Sequence, residues 1–232
     1  MIIHLKKQKM KYFMLFLTLS LVAFTKPVKK NKVIFFGDSI TQAAVNPNGY
    51  IVKMDSLIRK DGLAESFELA GAGIGGNKVY DLYLRMDSDV LAKDPDIVFI
   101  YVGINDVWHK SSSGTGTDAP KFEKFYRAII KKLQDRNIRV VVCTPTVIGE
   151  RNDYSNEQDG DLNHYSNIIR NIAKDMNLPL CDLHKAFVDY LKTNNPNNAE
   201  KGILTTDRVH LTGAGNLLVA AEMWKILKTL VR

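Results

Sequence analysis

Apolar residues recur along the chain in two patterns. Short continuous runs rich in Val, Ile and Phe occupy Lys32–Phe36, Ile97–Val102 and Ile138–Cys143, as strands buried on both faces require. Ser66–Ala70 and Leu180–Asp182 read as two further strands. Between them the apolar positions return at helical spacing over Gly49–Lys60, Lys78–Ala92, Pro120–Asn137 and Gly160–Asn177. A last helix is predicted from Thr212 to Val231, where Leu217, Leu218, Ala221, Trp224, Ile226 and Leu227 suit packing on a core. This alternation predicts an α/β fold of three layers, a five-stranded parallel sheet between helices, with right-handed crossovers. Three polar stretches read as loops: Lys110–Asp118, Gly149–Asp159 and Thr193–Asp207. Ligands of open α/β sheets bind beyond the carboxyl ends of the strands, so those ends are where chemistry is sought.

The first residues break the pattern. Lys6, Lys7, Lys9 and Lys11 precede thirteen almost wholly apolar residues, Tyr12 to Phe24, and Lys26-Pro27 closes the run. A basic stretch before a short apolar one is the pattern of a secretory signal peptide. A membrane-spanning helix needs about 20 apolar residues, more than this run supplies. Residues 1–25 are therefore expected to be a signal peptide, with an uncleaved anchor as the alternative, and residues 26–232 a single domain. The reading implies export and no stable membrane span after processing. Removing residues 1–25 lowers the formal charge from +7 to +3. That is a poor basis for nucleic-acid binding, and no basic cluster interleaved with aromatics follows. Cys143 and Cys181 both fall in apolar strands and read as buried thiols, with a disulfide open to an exported protein.

The strand ends carry the chemistry. Gly37-Asp38-Ser39 follows the first strand, with Gly37 allowing a sharp turn and Ser39 at the sheet edge. Alone, Ser39 would read as a helix cap. Gly71-Ala72-Gly73-Ile74-Gly75-Gly76-Asn77 follows the second strand, where glycine N–H groups can approach a ligand closely. Gly103-Ile104-Asn105-Asp106 follows the third, and an Asn amide can donate to an oxyanion. Asp207-Arg208-Val209-His210 stands before the last helix. A carboxylate three residues before a His can hold one ring nitrogen and leave the other to take a proton from serine. A nucleophile, a base, its orienter and oxyanion donors thus meet the requirements of acyl transfer.

In block order and spacing these motifs resemble the SGNH hydrolases, or GDSL esterases/lipases, over nearly all of residues 26–232. Gly75 and Asn77 depart from the Ser and Asp that many members carry, whereas Gly76 is kept. The resemblance implies a flavodoxin-like sheet of order 2-1-3-4-5. It implies Ser39, Asp207 and His210 as the catalytic residues, and Ser39 N–H, Gly76 N–H and the Asn105 side chain as the oxyanion hole. No cofactor or metal is implied. Asp38, Trp108 and His109 are candidates for the substrate pocket. Asp38 and Asp106 also read as scaffolding that accepts backbone N–H bonds, and Trp108 also as packing beneath the Asn105 loop.

Rival readings fare worse. Gly71-x-Gly73-x-x-Gly76 matches a dinucleotide fingerprint, but no acid stands at the end of the next strand at the required distance. Gly-x-Ser-x-Gly is absent around Ser39, against an α/β-hydrolase elbow. His109, His164 and His184 are scattered and read as solvated or capping residues, not metal ligands. A carboxylate pair for glycoside hydrolysis, or a non-catalytic carbohydrate-binding domain, would leave Ser39 and His210 without roles. The polar loops favour short acyl groups, acetyl above all, on a polar carrier such as a glycan; a lysophospholipase or thioesterase acting on longer chains is the alternative.

Overall fold

The computed structural model describes residues 29–230; the predicted signal peptide lies outside the described residues. Five strands form one parallel sheet in the order β2-β1-β3-β4-β5. They are β1 (Asn31–Gly37), β2 (Phe67–Gly73), β3 (Ile97–Tyr101), β4 (Arg139–Cys143) and β5 (Leu180–Cys181). The helices are α1 (Ser39–Ala43), α2 (Tyr50–Lys60), α3 (Val79–Asp89), α4 (Ile104–Ser113), α5 (Ala119–Gln134), α6 (Asp159–Asp175), α7 (Leu183–Asn194) and α8 (Gly213–Leu227).

The strand order dictates the layers. The crossover from β1 to β2 runs one way along the sheet and the later crossovers run the other. With one handedness, α2 must cover the face opposite α3, α5 and α6. Helix packing agrees: α8 lies against α2 and α7, while α5 lies against α3 and α6. The core is the sheet itself, where Val33 to Phe36 and Ile97 to Ile100 are fully buried. Cys143 and Cys181 are register partners on β4 and β5 and are free, buried thiols. Among the described residues no helix is long and apolar enough to cross a membrane.

Three elements differ from expectation. The second strand runs on through Gly71-Ala72-Gly73, so the glycine string does not begin a loop there. A side chain at Gly73 would stand 2.1 Å from Gln42 N, so bare backbone lets α1 pack against β2. A side chain at Gly71 would stand 2.7 Å from Val45 Cγ1, so packing accounts for two glycines of the dinucleotide-like fingerprint. Secondly, α4 takes the first residues of the predicted loop Lys110–Asp118. Its three consecutive serines bond back within the helix, Ser111 and Ser112 to Trp108 O and Ser113 to His109 O. Thirdly, α7 was not foreseen. It buries Leu183, Phe187 and Leu191, four residues apart, and the Asp182 side chain caps it by accepting from Lys185 N. The last helix is capped by Thr212, whose hydroxyl accepts from Gly215 N.

Candidate active site

Ser39 opens α1 directly beyond β1. Gly37 supplies room where a sharp turn was expected: a side chain there would lie 2.3 Å from Tyr101 O. Asp38 caps α1, its Oδ1 accepting from Ile40 N at 3.0 Å. Burial pushes its carboxyl up to about 7, against the Ile40 N–H and with the help of nearby Asp106. Asp38 is only 2% exposed, which corrects its candidacy for the substrate pocket and leaves it the scaffolding role. Ser39 N–H, at the first helical position, has no acceptor among the described residues.

Asp207, His210 and Ser39 form a continuous file. Asp207 Oδ1 accepts from the N–H groups of Val209 and His210 at 3.1 and 2.8 Å. His210 Nδ1 donates to Asp207 Oδ2 at 2.7 Å, and Ser39 Oγ lies 2.9 Å from His210 Nε2. Burial works against the Asp207 charge, but the His210 and Val209 hydrogen bonds outweigh it and hold the carboxyl below its usual range. An ionised carboxylate only accepts, so Nδ1 carries hydrogen, and in the neutral ring Nε2 is the acceptor for the serine hydroxyl.

The expected oxyanion donors come from the two neighbouring strand ends. Gly76 has φ +75 in a turn closed by Asn77 N donating to Ile74 O at 3.3 Å, and glycine enters that region without strain. Gly76 N–H has no acceptor among the described residues. Asn105 is buried in the first turn of α4, and its Nδ2 donates to Asn77 O at 3.1 Å. That bond fixes the amide and leaves its second hydrogen free. Asp106 accepts from Val79 N through both oxygens at 3.2 and 3.3 Å, which ties α4 to the start of α3. Its own burial raises it to about 6.

Trp108 and His109 flank this file. The Trp108 ring meets the His210 ring edge to face at 6.5 Å, and packs against the core as well. His109 Cε1 would lie 3.9 Å from a side chain at Gly76, and burial lowers its pKa, aided by Lys78. His184 is buried, correcting its reading as a solvated residue. Among the described residues no three His, Cys, Asp or Glu side chains converge as metal ligands would.

Two residues absent from the sequence reading organise the site. Arg85 on α3 donates through Nε to Asn77 Oδ1 at 2.6 Å and through Nη2 to Gly37 O at 2.7 Å and Ala72 O at 3.0 Å. Nη1 pairs with Asp89 at 2.6 Å, and the guanidinium lies over the Phe36 ring. Only the spacing of Arg85 and Asp89, one turn apart, was visible in sequence. Glu150 is fully buried in the predicted Gly149–Asp159 loop. It accepts from Ile203 N, Leu204 N, Thr205 N and Thr205 Oγ1, anchoring the segment that leads to Asp207. No local motif announces it.

A parallel sheet of order 2-1-3-4-5 with these groups at its carboxyl edge defines the class, the three-layer α/β/α hydrolases. The sequence pattern of the GDSL-like Lipase/Acylhydrolase family matches residues 35–218, and the chain belongs to that family. A solved acetyl xylan esterase, AlAXEase, is 62% identical, with a TM-score of 0.82 over 84% of this chain and 98% of its own. The acetylxylan esterase of Geobacillus stearothermophilus is 29% identical over 207 residues, 82% of this chain and 90% of its own. The uncharacterized lipoprotein YqeF of Bacillus subtilis (strain 168) is 26% identical over 231 residues, 90% of this chain and 95% of its own. The protein is a carboxylic ester hydrolase.

Proposed function

We propose that the protein removes acetyl groups from an acetylated polysaccharide or oligosaccharide of the xylan type, with Ser39 as nucleophile. The observation that carries this reading is the file of Asp207, His210 and Ser39, at 2.7 and 2.9 Å. His210 takes the Ser39 proton as Oγ attacks the acetyl carbonyl, and Asp207 stabilises the imidazolium. Ser39 N–H, Gly76 N–H and the free Asn105 amide hydrogen receive the oxyanion. The protonated His210 then gives its proton to the sugar oxygen as the C–O bond breaks, so the sugar leaves as the free hydroxyl. Water, activated by the same imidazole, releases acetate and restores Ser39. The similarity to two acetylxylan esterases supports the acyl group and the carrier. The basic and apolar N-terminal residues, together with a lipoprotein relative, support export, with residues 1–25 as the signal and residues 26–232 as the hydrolase domain.

The test is steady-state kinetics of wild type and Ser39→Ala on p-nitrophenyl acetate and on acetylated xylo-oligosaccharides. The variant should lose about 10⁴-fold or more in kcat on both. Equal rates would remove Ser39 from the chemistry. A rate maximum at long acyl chains would replace the acetyl reading.

A further inference from the structure

The Gly149–Gly160 loop, the start of α6 and the exposed face of α7 enclose a second cleft of about 800 Å³, which contains none of the candidate active-site residues. We propose that this cleft binds the sugar backbone of the substrate, several units away from the ester under attack. The proposal deepens the reading above and rests on it for the saccharide nature of the carrier.

The chemistry of the walls points to a neutral, hydroxyl-bearing ligand. The cleft cations are already paired: Arg170 with Asp182 at 2.8 Å, Arg151 with Glu200 at 3.6 Å, Lys185 with Asp189, and Lys192 with Asp189 at 3.9 Å. Lys185 and Lys192 share Asp189, but Glu157 and Asp159 also line the cleft, so the cations are balanced by carboxylates and no surplus positive charge is left for a phosphate or carboxylate. The lining includes the apolar side chains of Val147, Val188 and Leu191. At the rim stands Tyr154, 82% exposed and held at φ +65. A sugar ring presents one apolar C–H face and a belt of hydroxyls, and an open tyrosine in a cleft with apolar lining complements that chemistry.

His184 adds a directional requirement. It lines the cleft and is only 9% exposed. Its Nδ1 lies 2.6 Å from Thr146 O. A carbonyl can only accept, so Nδ1 carries hydrogen. Burial lowers the His184 pKa and so favours the neutral ring. Nε2 then holds a bare lone pair and has no partner among the described residues. Such a group accepts from an O–H and repels an anion.

The position suits a chain that also reaches Ser39. Val147 and His184 follow β4 and β5, which stand two and three places from β1 in the sheet. At about 4.8 Å per strand, the cleft lies roughly 10–14 Å to the side of the candidate active site. One loop separates the two. Gly149 N donates to Arg208 O at 2.9 Å, and Gln158 Nε2 to Val107 O at 3.3 Å. The wall of the cleft is thus bonded to the His210 segment and to the helix that carries Trp108.

The decisive measurement is calorimetric binding of unacetylated linear xylohexaose to the wild type, Tyr154→Ala and Val188→Arg. Binding to the wild type, with a loss of about tenfold or more in each variant, is the expected result. In parallel, KM for acetylated xylo-oligosaccharides should rise about tenfold in both variants, while kcat/KM for p-nitrophenyl acetate stays within about twofold. Xylohexaose that does not bind, or binds all three proteins equally, overturns the proposal. Turnover of p-nitrophenyl acetate without turnover of acetylated xylo-oligosaccharides would instead refute the glycan substrate. The xylohexaose result decides the cleft in either case.

Discussion

Replacing Arg85 with lysine tests how the proposed oxyanion hole is held. The guanidinium bonds four acceptors at once: Asn77 Oδ1, Gly37 O, Ala72 O and Asp89. An ammonium is a compact point charge and cannot reproduce that planar fork. Gly37 O keeps its bond from Ile74 N, but lysine cannot serve the remaining acceptors together, and each buried group left unsatisfied costs about 1–3 kcal/mol. The fold should therefore survive with about 2–4 kcal/mol less stability. The catalytic effect travels through Asn77. Its side chain is held by Arg85, its carbonyl accepts from Asn105, and Gly76 precedes it. Misplacing such groups by about 1 Å costs up to about 10² in rate. As proposed oxyanion donors they act on the transition state, so kcat on p-nitrophenyl acetate should fall about 10–100-fold with KM little changed. Asn105→Ala and the double variant complete a cycle. If Arg85 acts through the hole, the double variant loses far less than the product of the two single losses. Multiplicative losses, or a normal kcat in Arg85→Lys, would refute the reasoning.

Asn105→Ala by itself should lower kcat about 10²–10³-fold in the same assay, with a retained cooperative melting transition as the control for folding. Glu150→Gln places an amide N–H among donors that need an acceptor, so urea denaturation should report a loss of about 2–4 kcal/mol; an unchanged midpoint would deny Glu150 its anchoring role. Asp38→Asn separates a titration from a hydrogen bond, since Asn can still accept from Ile40 N. Native Asp38, raised to about 7, keeps its proton where the unfolded chain, with an ordinary value of about 3.9, has released it. Its contribution to stability is complete below about pH 4 and is lost as pH rises through about 7. The stability of Asp38→Asn relative to wild type should therefore increase between pH 4 and pH 8 by up to about 4 kcal/mol, and a flat difference would contradict the buried carboxyl.

Most of the architecture was legible in the linear pattern. Continuous apolar runs marked β1, β3 and β4 because strands buried on both faces have no polar side to show. The order 2-1-3-4-5 followed from the family resemblance. The motifs carrying Ser39, Gly76, Asn105, Asp207 and His210 were visible because each is a short local signature at a strand or helix end. Less legible were elements whose signal is weak or shared. The serine run of α4 resembles a loop until its hydroxyls close on carbonyls within the helix. The helix α7 follows a strand of only two residues.

Other facts had no trace in sequence. Arg85 is an ordinary helical arginine until the fold brings Gly37 O, 48 positions away, and Ala72 O to its tip. Glu150 is one more acid in a polar loop until residues 53 to 55 positions further on aim their donors at it. The sequence by itself determined which chemical groups the protein carries and the strand and helix ends on which they sit, because hydrophobic periodicity and short motifs are local. Only the tertiary structure decided what holds those groups at 2.7–2.9 Å from one another, because a buried charge is satisfied by whatever backbone the fold presents to it, and that partner is set by packing and not by distance along the chain.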